Sequence, residues 1–377
     1  MIRAIERLLT GPRDPDTVGR FLVDHSFPIV EGTQVTFVWR GAADAVRLRH
    51  WIFGLPTSQA LTRMDGSDLW HFTMTIPPAS RVEYKFEVEK HGRSEWLRDP
   101  LNPRLARDPF GANSVVVGVG YEEPEWAKVY DGVPQGTLDR LQVHSDHVGL
   151  RSTLVYKPHR YRPTRTYPLL VVHDGDDYLR YASLGAVLDN LMARREIPDM
   201  VVALTSSHRR LDEYANDEAH QRYVTEELVP AIEERWTCGG RPQLRGLMGA
   251  SFGGVASLST AVRYPGFYGR LLLQSGSFAF TDIGERNHRG PVFDPVVRFM
   301  NAFRADPAPV SERVFVSCGT YESLIYENRS LIPVLEDTGM MVSFREARDG
   351  HNWENWRDRL REGLSWLFPG PFLLTYE

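Results

Sequence analysis

The chain has 377 residues, 42% hydrophobic and 25% charged, with 44 Lys and Arg against 49 Asp and Glu, a formal charge of −5. That length holds two domains, or one large domain with an extension. The mild acidity argues against a nucleic-acid binder, which needs surplus Lys and Arg over a whole face, and no apolar run approaches the ~20 residues of a membrane span.

At the N-terminus Ile2, Ile5, Leu8 and Leu9 interleave with Arg3, Glu6 and Arg7. This is helical spacing, not the unbroken apolar run of an export signal, so the expected location is cytoplasmic. From residue 33 to 119 the side chains alternate in short segments, 34–40, 45–49, 69–76 and 81–88, separated by turns such as Met64-Asp65-Gly66 and Pro77-Pro78. Strands at that spacing predict a β-sandwich. The two prolines of 99–104 predict an extended loop after the last of them.

Beyond a Pro- and Gly-containing stretch at 122–136 the pattern changes. Segments 169–172, 200–204, 244–248, 271–273 and 314–316 are short and apolar throughout, and segments 184–194, 218–236, 253–263 and 324–337 carry helical periodicity. Apolar strands alternating with helices predict a mostly parallel sheet covered on both faces. The expected organisation is therefore a β-sandwich over 1–125 and an α/β domain over 126–377. Cys238 and Cys318 fit neither a disulfide framework nor zinc-ligand spacing and are expected to be ordinary thiols.

The sharpest chemical signal is Gly249-Ala250-Ser251-Phe252-Gly253-Gly254 between an apolar strand and a helix. An α/β-hydrolase nucleophile elbow has this strand–turn–helix setting, with glycines where a Cβ would collide with the neighbouring strand or helix. A serine hydroxyl needs a base. The order Ser, acid, His expected of such a fold makes His351 the candidate, in the loop after a strand at 341–347. The acid should lie just beyond a strand end, where Glu322 fits best; Glu327 and Asp282 are the alternatives, and Glu322 as a helix-capping residue is the competing structural role. Two backbone donors should hold the oxyanion: the N–H of Phe252, and that of Asp176 in the loop His173-Asp174-Gly175-Asp176-Asp177. The same carboxylates could instead form a divalent-cation loop, although nothing else in the chain completes one. Arg209 and Arg210 follow the strand at 200–204, at the sheet end where ligands bind, and could engage an anionic substrate or simply serve surface solubility. Tyr178, Tyr214, Tyr321, Trp353 and Trp356 lie near the same loops; Trp353 is a candidate substrate contact or core residue.

With these residues in view the C-terminal part resembles the esterase D branch of the α/β hydrolases, and the whole chain from about residue 33 resembles the enterochelin (ferric enterobactin) esterases. The resemblance rests on 35–40 (VTFVWR), Asp68-Leu69-Trp70, Tyr84-Lys85-Phe86 and Asp99-Pro100-Leu101-Asn102-Pro103. Further on it rests on Asp174-Gly175, 226–230 (EELVP), 249–254, Tyr264-Pro265, Gln274-Ser275-Gly276 and Gly350-His351-Asn352-Trp353. It implies an immunoglobulin-like sandwich leaning over the catalytic cleft. It also implies hydrolysis of the seryl trilactone esters of a catecholate siderophore, releasing iron inside the cell. Ser251 and His351 match the family's nucleophile and base, and Glu322 matches its acid by position. The expected partner is a small-molecule ester, with no nucleic acid or membrane; no organic cofactor or catalytic metal is needed, iron arriving only as part of a substrate. Feruloyl or acetyl carbohydrate esters, acyl transfer to an alcohol, and a hydrolase scaffold recruited for binding are the other readings.

Overall fold

The computed structural model describes residues 2–12, 14–281 and 290–371. The chain forms two compact units. One takes the chain up to Glu123 together with the short segments Gly319–Ser323 and Ala347–Asn352, and the other takes the remainder.

The first unit opens with helices Ala4–Thr10 and Pro15–Asp24, the second started by Pro15 at its first turn and by the Asp14 side chain, which accepts the Thr17 N–H. Ten strands follow: β1 (Ile29–Glu31), β2 (Gln34–Arg40), β3 (Ala45–His50), β4 (Ser58–Ala60), β5 (Thr62–Arg63), β6 (Leu69–Thr75), β7 (Arg81–Lys90), β8 (Arg93–Leu97), β9 (Leu105–Asp108) and β10 (Gly111–Val117). They make one sheet in the order β1-β2-β6-β5 and another in the order β4-β3-β7-β10-β9, with β8 on β7. Phe37 meets Tyr84 and Trp39 meets Phe86 edge-to-face between the sheets, within the core formed by Val35, Val46, Leu48 and Val88. The alternation in β2 does not leave a wet face: Val38, on the other side, packs with Ile5, Leu8, Val18 and Phe21, because the two N-terminal helices cover that sheet. The 99–104 segment is a hydrogen-bonded corner. Asp99 is buried, accepts from the Tyr84 hydroxyl at 2.6 Å and the Leu101 N–H at 2.8 Å, and Asn102 donates to the Val115 carbonyl at 2.8 Å.

The second unit carries β11 (Thr137–Ser145), β12 (Gly149–Lys157), β13 (Leu169–His173), β14 (Val201–Thr205), β15 (Arg245–Ala250), β16 (Arg270–Gln274), β17 (Arg313–Gly319) and β18 (Met341–Ala347). They form one sheet in the order β11-β12-β14-β13-β15-β16-β17-β18. From β14 through β17 the neighbours are parallel, and the β11–β12 hairpin adds antiparallel strands at one edge. Alternate residues of each central strand enter two separate cores. Leu169, Val171, Leu247, Leu271 and Val314 point into one; Leu170, Val172, Met248, Leu272 and Phe315 point into the other. Helices cover both faces, which is why these strands read as apolar at every position. This is an α/β-hydrolase-type sheet with a β-rich N-terminal domain before it.

Two elements depart from the expected pattern. The β11–β12 hairpin was not visible as strands, since its outer face is polar and only Leu141, Val143, Val155 and Tyr156 among its apolar residues are buried. The helix expected over 218–236 is broken into Glu218–Arg222, a π-helical stretch Tyr223–Leu228, and Val229–Arg235. Pro230 has no N–H to donate and its ring crowds the carbonyl four residues back, so the wider turn relieves the conflict. Cys238 and Cys318 are buried and form no disulfide. Among the described residues no helix is long and apolar enough to cross a membrane.

Burial raises Asp99 to about 6 from an ordinary 3.8, with the hydrogen bond from Tyr84 opposing. A carboxyl whose folded value lies above its unfolded value loses its stabilising contribution as pH rises between the two. Asp99→Asn should therefore gain stability relative to wild type between pH 4 and 6, on the order of 2 kcal/mol, and no more above pH 6.5. Urea midpoints of both proteins across that range check this; a difference independent of pH would refute it.

Candidate active site

β15 runs into Ser251, whose backbone sits at φ +58, ψ −122, and helix Phe252–Arg263 starts at once. That conformation is costly for a non-glycine residue and persists only when its surroundings enforce it. The glycines show how. A Cβ on Gly249 would lie 2.3 Å from the Gly253 carbonyl oxygen, and one on Gly254 3.1 Å from the Gly276 Cα. The Ser251 N–H donates to the Gln274 carbonyl at 2.9 Å, its own carbonyl accepts from Ser277 N–H at 3.1 Å, and its Oγ is 3.2 Å from Ser277 Oγ. The Phe252 N–H lies in the first turn of the helix, where amides lack an intrahelical acceptor.

β13 ends at His173, and Asp174 takes a left-handed conformation (φ +57) before helix Gly175–Tyr181. A Cβ on Gly175 would lie 2.4 Å from the Leu204 Cα, so only glycine lets the loop pass this close to β14. The Asp176 N–H is in this helix's first turn. The buried Asp174 carboxylate is engaged by Arg210, with Nε at 2.8 Å and Nη2 at 2.7 Å, and Nη2 also reaches the Ala250 carbonyl at 3.4 Å. Tyr214 Oη accepts the Asp174 N–H at 3.2 Å. Arg210, expected as a substrate contact, is thus paired with the loop that carries Asp176, and the Asp174 carboxylate faces a guanidinium. Among the described residues no cluster of His, Cys, Asp or Glu is arranged to hold a metal ion.

Arg209 is exposed and lines a cavity of about 350 Å³ together with His147, Arg151, His208 and Glu213. Trp353 is buried, with its ring edge-to-face on Tyr178 (5.2 Å between centroids) and on Trp356 (4.7 Å), and packs into the core beneath the second face of the sheet. Behind the elbow lies a pair that no sequence pattern announced. His173 Nδ1 faces the Met248 carbonyl at 3.2 Å and Ser257 Oγ at 3.1 Å, and its Nε2 is 3.2 Å from His220 Nε2. Burial lowers His173 to about 4 and holds His220 well below the ordinary imidazole range, so both are neutral at pH 7.

In the first unit the loops after β17 and β18 bring His351 and Glu322 together. His351 Nδ1 is 2.5 Å from Glu322 Oε2, and Glu322 Oε1 accepts the Gly319 N–H at 2.7 Å. The Glu322 side chain is 3% exposed and that of His351 36%. Glu327 lies further on, buried in helix Ile325–Asp337, and Asp282 falls outside the described residues. Two backbone bonds sew the loops to each other, Thr320 N–H to the Ala347 carbonyl (2.7 Å) and Tyr321 N–H to the Asp349 carbonyl (3.1 Å). Others fix them to the sandwich: Tyr321 Oη to Ser80 Oγ (2.6 Å), and Phe53 N–H to the Tyr321 carbonyl (2.7 Å).

Comparison with known proteins places this geometry. Residues 150–367 match the model of the family described as putative esterase, and residues 34–126 match that of the enterochelin esterase N-terminal domain. The chain belongs to the putative esterase family. It is a carboxylic ester hydrolase with an enterochelin esterase N-terminal domain ahead of the esterase domain. It is 30% identical over 149 residues to the uncharacterized protein YjcH of Bacillus subtilis, covering 37% of this chain and 62% of that one. It is 24% identical to the iron(III) enterobactin esterase of Dickeya dadantii, over 83% of this chain and 80% of the relative. The crystal structure of the ferric enterobactin esterase of Salmonella typhimurium superposes with a TM-score of 0.73 at 21% identity, over 89% of this chain and 93% of that one.

Gly249→Ala should destabilise the esterase domain by about 3 kcal/mol or more, because the added Cβ meets backbone that cannot give way. A thermal midpoint equal to wild type would contradict this. Arg210→Gln, which frees the Asp174 loop, should lower kcat for a neutral ester at least tenfold with KM changed less than threefold; initial-rate kinetics decide it.

Proposed function

We propose that this esterase works through Ser251, His351 and Glu322, with the N–H groups of Phe252 and Asp176 as the oxyanion hole, and that its substrate is a catecholate siderophore trilactone. The observation that carries the reading is the His351–Glu322 pair: a buried carboxylate on Nδ1 orients the imidazole, selects the tautomer whose Nε2 is the base, and stabilises the imidazolium. Topology supports it. Ser251 follows β15, Glu322 follows β17 and His351 follows β18, three strands of one sheet.

In this mechanism His351 removes the Ser251 proton as Oγ attacks the ester carbonyl. The two N–H groups stabilise the tetrahedral oxyanion, and both begin helices, whose N-terminal dipoles favour negative charge there. Collapse expels the alcohol, which takes its proton from His351. Water activated by the same imidazole then attacks the acyl-serine and releases the acid. Repetition opens each ester of a cyclic trilactone, and the linear products hold iron less well than the ring. The enterobactin esterases among the relatives, and the enterochelin esterase N-terminal match, favour this substrate class; iron release inside the cell is part of the same proposal. Arg209 is the residue proposed to meet the substrate's negative charge.

Ser251→Ala should abolish hydrolysis of p-nitrophenyl esters and labelling by a fluorophosphonate with the circular dichroism spectrum unchanged; retained turnover would sink the assignment. Glu322→Gln should lower kcat by roughly 10²–10⁴-fold. In a panel of ferric and iron-free enterobactin, a feruloyl-oligosaccharide and an acetylated sugar, the trilactones should give the highest kcat/KM, and Arg209→Gln should raise KM for the trilactones only. Preference for the feruloyl ester would move the function to carbohydrate esters.

A further inference from the structure

His351 is one of six consecutive residues, 347–352, that belong to the sandwich unit although their chain comes from β18. Among the contacts that hold them there, those of Arg81, the first residue of β7, reach furthest toward His351. Arg81 is 3% exposed, and its backbone N–H donates to the Arg348 carbonyl at 2.9 Å. Its Nη1 lies 3.0 Å from Asn352 Oδ1 and 3.4 Å from Asp349 Oδ1, the residues just outside the Gly350-His351 pair on either side. Asp349 is buried, and its Oδ1 accepts the Gly350 N–H at 2.7 Å and the Asn352 Nδ2–H at 2.8 Å. The Asp349 carboxylate is costly to bury, and the Arg81 charge offsets part of that cost. Arg81 also contacts Glu83 Oε1 at 3.2 Å, and Glu83 Oε2 accepts from Asn113, so the guanidinium is itself anchored in the β7–β10 ladder.

We infer that Arg81 is a positioning residue for His351: a sandwich guanidinium clamps Asp349 and Asn352, and the imidazole between them is thereby held against Glu322. This gives the N-terminal domain a part in catalysis that needs no contact with substrate. The inference rests on the proposed role of His351. The physical expectation follows from geometry, since a loop free to shift by 1 Å costs a catalytic group on the order of 10²-fold. Both acceptors sit on one nitrogen of a rigid, planar guanidinium, whereas a lysine ammonium offers three donors on a flexible stem, so Lys should restore part of the effect.

The test is kinetic, in the full-length chain with a neutral p-nitrophenyl ester. Arg81→Gln should lower kcat about 10- to 100-fold with KM changed less than threefold, and Arg81→Lys should fall between it and wild type. Asp349→Asn, which removes the clamp's acceptor charge while keeping its shape, should give a smaller loss of the same kind and serves if Arg81→Gln does not fold. The decisive arm uses His351→Ala assayed with added imidazole. In that background Arg81→Gln should have no further effect, because the residue it positions is gone. An equal loss in both backgrounds would make Arg81 a structural residue only, and a rise in KM at constant kcat would make it a substrate contact; either overturns the inference. Wild-type chain that neither turns over esters nor labels with a fluorophosphonate would instead remove the serine-hydrolase reading, and this inference with it.

Discussion

The chemistry proposed for this chain depends on a seam between two loops. The segments after β17 and β18 are joined by the Thr320–Ala347 and Tyr321–Asp349 backbone bonds, and across that seam the Glu322 carboxylate reaches Nδ1 of His351. A buried carboxylate is tolerable when its lone pairs are satisfied. Here one oxygen takes the Gly319 N–H and the other faces the imidazole, so orientation and desolvation are solved by the same two contacts.

The serine side of the machinery is held by a different kind of force. Ser251 occupies a strained conformation that no side chain chooses, and backbone contacts at Gly249 and Gly254 leave it no alternative. The neighbouring loop at Asp174 is fixed by charge, through the fork of Arg210, and by the Tyr214 hydroxyl. Steric exclusion thus fixes Ser251 while electrostatics fixes the Asp174 loop. The two buried histidines behind β13 contribute as neutral hydrogen-bonding groups, their burial having removed the option of charge.

Glycine signals were readable because their cause is local: the spacing in Gly249–Gly254 reports collisions with residues a few positions away. The pairing of Arg210 with Asp174 was not readable, for the opposite reason. The two are 36 residues apart, and nothing in either segment states that their charges meet. Trp353 lies near His351 in sequence, and the first turn of helix Trp353–Leu367 directs its ring onto Tyr178, 175 residues back along the chain. The β11–β12 hairpin stayed hidden because an edge hairpin with one wet face carries little apolar signal.

By itself the sequence determined the order of layers and the elbow. Period-2 alternation, apolar runs buried on both faces and glycines around one serine are each imposed by short-range sterics and by the exclusion of apolar surface from water. Tertiary structure alone decided which carboxylate faces His351, which guanidinium is occupied, and that residues 319–323 and 347–352 join the sandwich unit. Those outcomes are pairings between charges and hydrogen-bonding groups far apart along the chain. Such pairings have no periodicity, and they exist only once packing brings their partners within about 3 Å of each other.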